Sequence, residues 1–117
     1  MSDAQGILEV DQARKFAQAI GSSLLGDKCE HVVILDVTKT SPVTGFIVIG
    51  SGTSARQMRS ALENLDDTAK EFNTKVFHIS NDNDTLWLLA DFVDVVVHVF
   101  EPNARAHYDL ESMWPEA

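Results

Sequence analysis

Trp87-Leu88-Leu89-Ala90-Asp91-Phe92-Val93-Asp94-Val95-Val96-Val97-His98-Val99-Phe100 is the stretch on which the fold turns. Two apolar runs, Leu86 to Ala90 and Val95 to Phe100, flank Asp91-Phe92-Val93-Asp94. The second run is mostly β-branched, which suits a pleated, buried surface. A link this short joins only antiparallel neighbours, because a parallel connection needs a long crossover. The stretch therefore predicts two strands of one hairpin.

Upstream of it, Val76 to Ile79 predicts a short strand, and Ser80 to Thr85 a polar loop. Before that, Met58, Ala61, Leu62, Leu65, Ala69 and Phe72 recur at three and four residues, the stripe of an amphipathic helix. Gly50-Ser51-Gly52-Thr53-Ser54 leads into this helix, with Thr53 or Ser54 placed to cap it. Phe46-Ile47-Val48-Ile49 and Val32-Val33-Ile34-Leu35 are unbroken apolar runs, the pattern of strands covered on both faces. Residues 38–45 read as a loop. A first helix runs from about Val10 to Leu25 on Val10, Ala13, Phe16, Ala17, Ile20 and Leu24, and Gly26-Asp27 breaks it. Downstream, Pro102 suits a first helical turn and Pro115 a stop, so a last helix is expected between them. A strand–helix–strand step with parallel pairing, then a hairpin, predicts a single α/β domain. Its mixed sheet has about five strands with helices packed on it.

The chain has 117 residues, the size of one domain, and 44% of them are hydrophobic, which excludes a disordered tail. Its net charge is −9, and all of it lies in the second half. Residues 1–59 hold six acids and six bases, whereas residues 60–117 hold twelve acids against Lys70, Lys75 and Arg105. An acidic protein is repelled by phosphate, which argues against sequence-specific nucleic acid and against an anionic membrane. The acidic half serves solubility or meets a basic partner. Cys29 is the single cysteine and forms no internal disulfide. With neither a signal-like start nor an apolar run long enough to span a bilayer, a cytoplasmic location is expected.

Few residues suggest chemistry. The Gly50–Ser54 turn is a possible phosphate cradle, but it lacks the lysine ending of a P-loop. A nucleotidyltransferase needs paired carboxylates on a neighbouring strand, and Lys75-Val76-Phe77-His78-Ile79 carries none. His31, His78, His98 and His107 show no metal spacing. His98 interrupts a run of valines, so it faces either the core with a hydrogen bond or a working surface. Asp91 and Asp94 serve as turn residues or as exposed anions. No catalytic residue, metal or cofactor is assigned. Trp87, Tyr108, Met113 and Trp114 are large amphipathic side chains, suited to core or interface.

The chain resembles the ribosomal silencing factor family, also called Iojap-like. The resemblance rests on the block Trp87–Phe100, on Val33-Ile34-Leu35-Asp36-Val37 and Gly52-Thr53-Ser54, and on Arg105, Tyr108, Leu110, Glu111 and Trp114. It spans about residues 8–115. Three departures stand out: Thr44-Gly45 where the family usually has Asp-Tyr, the Ser80–Thr85 loop in place of Glu-Gly, and Val93 where glycine is common. The resemblance implies a non-enzymatic factor with a fold related to nucleotidyltransferases. It implies binding to the large ribosomal subunit through its basic protein fourteen, a block on joining by the small subunit, and lower translation in starvation. A homodimer off the ribosome is a further implication. The partner-binding residues expected on this basis are Trp87, Leu88, Asp91, Asp94, His98, Tyr108, Glu111 and Trp114. The rival is a nucleotide-binding or nucleotidyltransferase-like enzyme using Gly50–Ser54, and a plainer third reading is a module that only self-associates.

Overall fold

The computed structural model describes residues 8–40, 44–80 and 87–101. Its elements in chain order are α1 (Val10–Gly26), β1 (Glu30–Asp36), β2 (Phe46–Ser51), α2 (Ala55–Glu71), β3 (His78–Ser80), β4 (Trp87–Asp91) and β5 (Val95–Phe100). The helix expected after Glu101 and most of the Ser80–Thr85 loop lie outside the described residues.

One five-stranded sheet carries the order β1-β2-β5-β4-β3. The hairpin β4–β5 is antiparallel, with Trp87 opposite Phe100, Leu89 opposite His98 and Asp91 opposite Val96. β5 also pairs in parallel with β2, which makes the sheet mixed. The strand directly after α2 is not the parallel neighbour of β2, as the order of elements suggested. β3 goes to the far edge, and the hairpin returns β5 into the gap beside β2.

The two unbroken apolar runs meet different fates. β2 is internal and buried along its whole length, as a run without alternation predicts. β1 lies at the edge, so it is only partly covered, and Ile34 remains 40% exposed. A bulge between Glu30 and Val33, with His31 at φ 51°, further disturbs that edge.

Both helices pack on one face of the sheet. Phe16, Ala17, Ile20 and Leu24 of α1 and Met58, Ala61, Leu62 and Leu65 of α2 cluster with Phe46, Val48, Leu88, Val97 and Val99 beneath them. Phe16 is the hub, with its ring 5.3 Å from Phe72 and edge-on at 5.2 Å to Phe92. Emptying such a site costs about 3–5 kcal/mol. A smaller apolar group, Val37, Ile47, Ile49 and Phe100 with Leu35 and Trp87, lies on the sheet's other face.

The helix ends show how local chemistry fixes the chain's direction. α1 runs through Gly26 and stops one step later than the glycine suggested. Lys28 takes φ 73°, Cys29 N–H donates to the Leu24 carbonyl and Lys28 N–H to that of Leu25, a Schellman motif without glycine. α2 ends the same way at Asn73, φ 56°, with Thr74 N–H donating to Ala69 O and Asn73 N–H to Lys70 O. Asn tolerates this left-handed conformation better than most residues.

The hairpin tip is strained. Phe92 N–H donates to Val95 O and Asp94 N–H to Phe92 O, which leaves Val93 at φ 75°. That is a γ-turn geometry, costly for a β-branched side chain. Glycine, which has no Cβ, removes the clash. Val93→Gly is therefore expected to raise stability by about 1 kcal/mol, the left-handed penalty less the entropy of glycine. The check is the urea midpoint at unchanged m-value, and a lowered midpoint contradicts the turn geometry.

Candidate functional site

The far face of the hairpin carries an aromatic cluster set by strand parity. Side chains alternate across a strand, so Trp87, Leu89 and Asp91 share one face of β4 and Leu88 and Ala90 the other. Phe100, His98 and Val96 of β5 stand opposite the first three. Trp87 stacks on Phe100 with ring centroids 4.9 Å apart and planes at 26°. Its ring centroid lies 5.8 Å from that of His98, which in turn stacks on Phe100 at 6.1 Å. The Trp87 indole Nε1–H donates to His98 Nδ1 at 3.0 Å.

This bond decides the state of His98. An acceptor Nδ1 must be unprotonated, so the imidazole is neutral with its proton on Nε2. His98 is only 6% exposed. Burial favours the uncharged ring and holds its pKa down at about 4. The histidine is the hydrogen-bonded core kind, and its part is to fix the tryptophan ring. Trp87 itself is half-buried, as are Leu89, Asp91 and Val96. Together these make a partly exposed apolar strip ending in a carboxylate.

Leu88 corrects the expected set. It is 1% exposed and packs in the core under the helices, because adjacent strand residues cannot share a face. Leu89 stands beside Trp87 instead, and the period of two was the signal for it. Asp91 Oδ1 accepts from Val93 N–H at 2.8 Å, so this carboxylate also builds the turn. Asp94 Oδ2 accepts from Leu8 N–H at 2.8 Å and ties the chain before α1 to the hairpin. Burial raises the Asp94 pKa against that hydrogen bond. Tyr108, Glu111 and Trp114 lie outside the described residues.

The glycine-rich turn has a different use from a phosphate cradle. Gly52 N–H donates to Phe100 O at 2.8 Å. Ser54 is the cap, and its Oγ accepts from Gln57 N–H at 3.1 Å. Gln57 Oε1 accepts from Thr53 N–H at 2.9 Å, the reciprocal half of a capping box drawn back by one residue. Gln57 Nε2 also donates to Asp27 O at 2.8 Å and to Cys29 Sγ at 3.6 Å, joining the start of α2 to the end of α1. A Cβ on Gly52 would press into Met58 and Gln57, so glycine is needed there for closeness. Three donors of the turn, the N–H groups of Gly52, Thr53 and Gln57, are thus engaged inside the fold. Burial raises the Cys29 pKa above its ordinary value, and an undissociated thiol is a weak nucleophile. Among the described residues, no group of three or more His, Cys, Asp or Glu could hold a metal ion. None of the described helices is long and apolar enough to cross a membrane.

Comparison with known proteins agrees with this fold. The family model described as ribosomal silencing factor during starvation matches residues 10–117. The ribosomal silencing factor RsfS of Halalkalibacterium halodurans is 34% identical over 90 residues, which is 77% of either chain. A crystal structure of a Chromobacterium violaceum protein superposes with a TM-score of 0.80 at 26% identity, covering 94% of this chain and 89% of that one. A mouse protein named mitochondrial assembly of ribosomal large subunit protein 1 is 28% identical over 96 residues, which is 80% of this chain and 42% of that protein.

The His98 arrangement predicts a defined pH dependence. At neutral pH the imidazole is uncharged in both folded and unfolded chains. As pH falls from 6.5 towards about 4, the unfolded chain takes up a proton that the folded one refuses. Stability therefore drops across that window, by on the order of 3 kcal/mol. His98→Gln keeps an acceptor for Trp87 without titrating, and urea unfolding should show a flatter profile for it between those pH values.

Proposed function

The chain belongs to the ribosomal silencing factor family, and on that premise we propose that it binds the large ribosomal subunit and blocks joining by the small one. The observation that carries this reading is the Trp87 strip on the far face of the hairpin. Trp87 has an apolar ring pinned by Phe100 and by the His98 bond, so little side-chain freedom is lost on contact. A rigid aromatic anchor of this kind is typical of binding hot spots. Asp91 at the end of the strip adds negative charge, which fits a basic protein such as the large subunit's protein fourteen. The name of the mouse relative, which mentions the large subunit, supports the same partner.

The proposed surface consists of Trp87, Leu89 and Asp91 with Val96 beside them, and Tyr108, Glu111 and Trp114 are proposed as further partner-binding residues. His98 acts through Trp87 rather than by contact, and Asp94 by holding the turn. Occupancy alone excludes the small subunit, so no chemistry is required. Bound to ribosomes, the protein would work in the cytoplasm, and a homodimer would compete for the same strip. Trp87→Ala is expected to weaken co-sedimentation with purified large subunits by about tenfold or more. Asp91→Lys should weaken it too, and added salt should reduce wild-type binding. Urea unfolding of each variant separates lost contact from lost fold. Unchanged co-sedimentation in both variants contradicts the site.

The enzyme alternative makes an opposite forecast. A nucleotide bound at Gly50–Ser54 with magnesium would raise the melting temperature in a saturable way. No such shift is expected, because Gly52 N–H is held by Phe100 O, Thr53 N–H by the Gln57 side chain and Gln57 N–H by Ser54 Oγ.

A further inference from the structure

The helix-side face has a feature that neither the core nor the far-face strip explains. A groove of about 290 Å³ lies between α2 and the edge of the sheet. Leu62, Glu63 and Asp66 form its α2 wall, Ala90 and Phe92 its floor and Ile79 its rim. Its surface is mainly apolar, and both charged residues lining it are carboxylates. Beside it, Phe77 is 74% exposed and Ile79 43%. Large apolar side chains left this open beside an apolar groove mark an interaction site.

The backbone next to the groove is suited to pairing. β3 ends the sheet among the described residues, with β4 on its inner side. Phe77 N–H is directed inward to Asp91 O at 2.7 Å. Asp91 is registered with His78, so His78 also turns its backbone groups inward, and alternation turns those of Ile79 outward, towards the sheet edge. The opposite edge differs, because β1 carries the bulge and the left-handed His31, devices that discourage an added strand.

We propose that this groove and the β3 edge form a second docking surface, which takes an extended protein segment whose groove-facing residues, every second one along it, are in turn apolar and cationic. The segment adds to β3 through main-chain bonds, with apolar side chains against Ile79, Leu62 and Phe92 and cations against Glu63 and Asp66. An extended segment fits better than a helix, whose own backbone groups are already paired. This surface is on the opposite side of the sheet from Trp87 and does not depend on the proposed ribosomal contact.

The test uses the full chain and a fluorescein-labelled peptide, read by fluorescence anisotropy, in which every second residue is threonine and the residues between are in turn valine and lysine. The same peptide with glutamate in place of lysine is the control. The lysine peptide should bind saturably, less tightly in high salt, and about tenfold more weakly to Glu63→Lys combined with Asp66→Lys. Ile79→Asp is the decisive variant. It adds a negative charge, so simple attraction would strengthen binding, whereas loss of the apolar rim should weaken it. Trp87→Ala should bind the peptide like the wild type, and circular dichroism checks that each variant is folded. The proposal is overturned by absence of saturable binding, by equal binding of the glutamate peptide, or by tighter binding to Ile79→Asp. Sedimentation in which Ile79→Asp turns a dimer into a monomer would also overturn it, by assigning the groove to a second copy of the chain.

Discussion

β5 is hydrogen-bonded along both edges, to β2 on one side and β4 on the other, and Val95, Val97 and Val99 on one face and His98 and Phe100 on the other are buried. The rest of the structure depends on that position. Valines on one face close the core under both helices, while His98 and Phe100 on the other face seat Trp87. Because side chains alternate with a period of two, a slip of one residue would exchange these sets. Such a slip would put His98 among the aromatic and aliphatic side chains under α1 and α2, and valines behind the tryptophan. The tight turn at Val93-Asp94 prevents it, and Asp91 and Asp94 hold that turn through Val93 N–H and Leu8 N–H.

Much of this was legible in the sequence, for physical reasons that differ from place to place. The stripe of α2 was clear because its apolar residues follow a helical period over four turns, with charge on the other side. The hairpin was clear because its link is too short for any alternative. β1 was misjudged in burial because an unbroken apolar run reads alike at the centre and the edge of a sheet, and only pairing tells them apart. The end of α1 was placed a step early because glycine is the usual stop, whereas Lys28 here adopts the left-handed conformation. The parallel partner of β2 was missed because element order does not say where a returning hairpin inserts.

The site was half legible. Trp87, Asp91 and His98 were singled out by residue type, and strand parity then ties them to one face. That same parity excludes Leu88 and admits Leu89. Extending the strands to Phe92 and Val95 leaves a two-residue turn, which sets Trp87 opposite Phe100. The bond from Trp87 to His98 has no sequence signal, since it depends on ring orientation. Nor does the role of Gln57, although its spacing from Ser54 is that of a capping box. The same glycine turn that suggests a phosphate in sequence proves to be a close helix–strand junction, with Gly52 against Met58.

The central claim is that a face built around Trp87 acts by occupancy, without chemistry. Light scattering on mixing ribosomal subunits tests it most directly. The account predicts that large subunits preincubated with the protein give a smaller scattering rise when small subunits are added. The loss should follow the fraction of large subunits occupied and should be restored with the Trp87→Ala variant. Full subunit joining at saturating occupancy would contradict it.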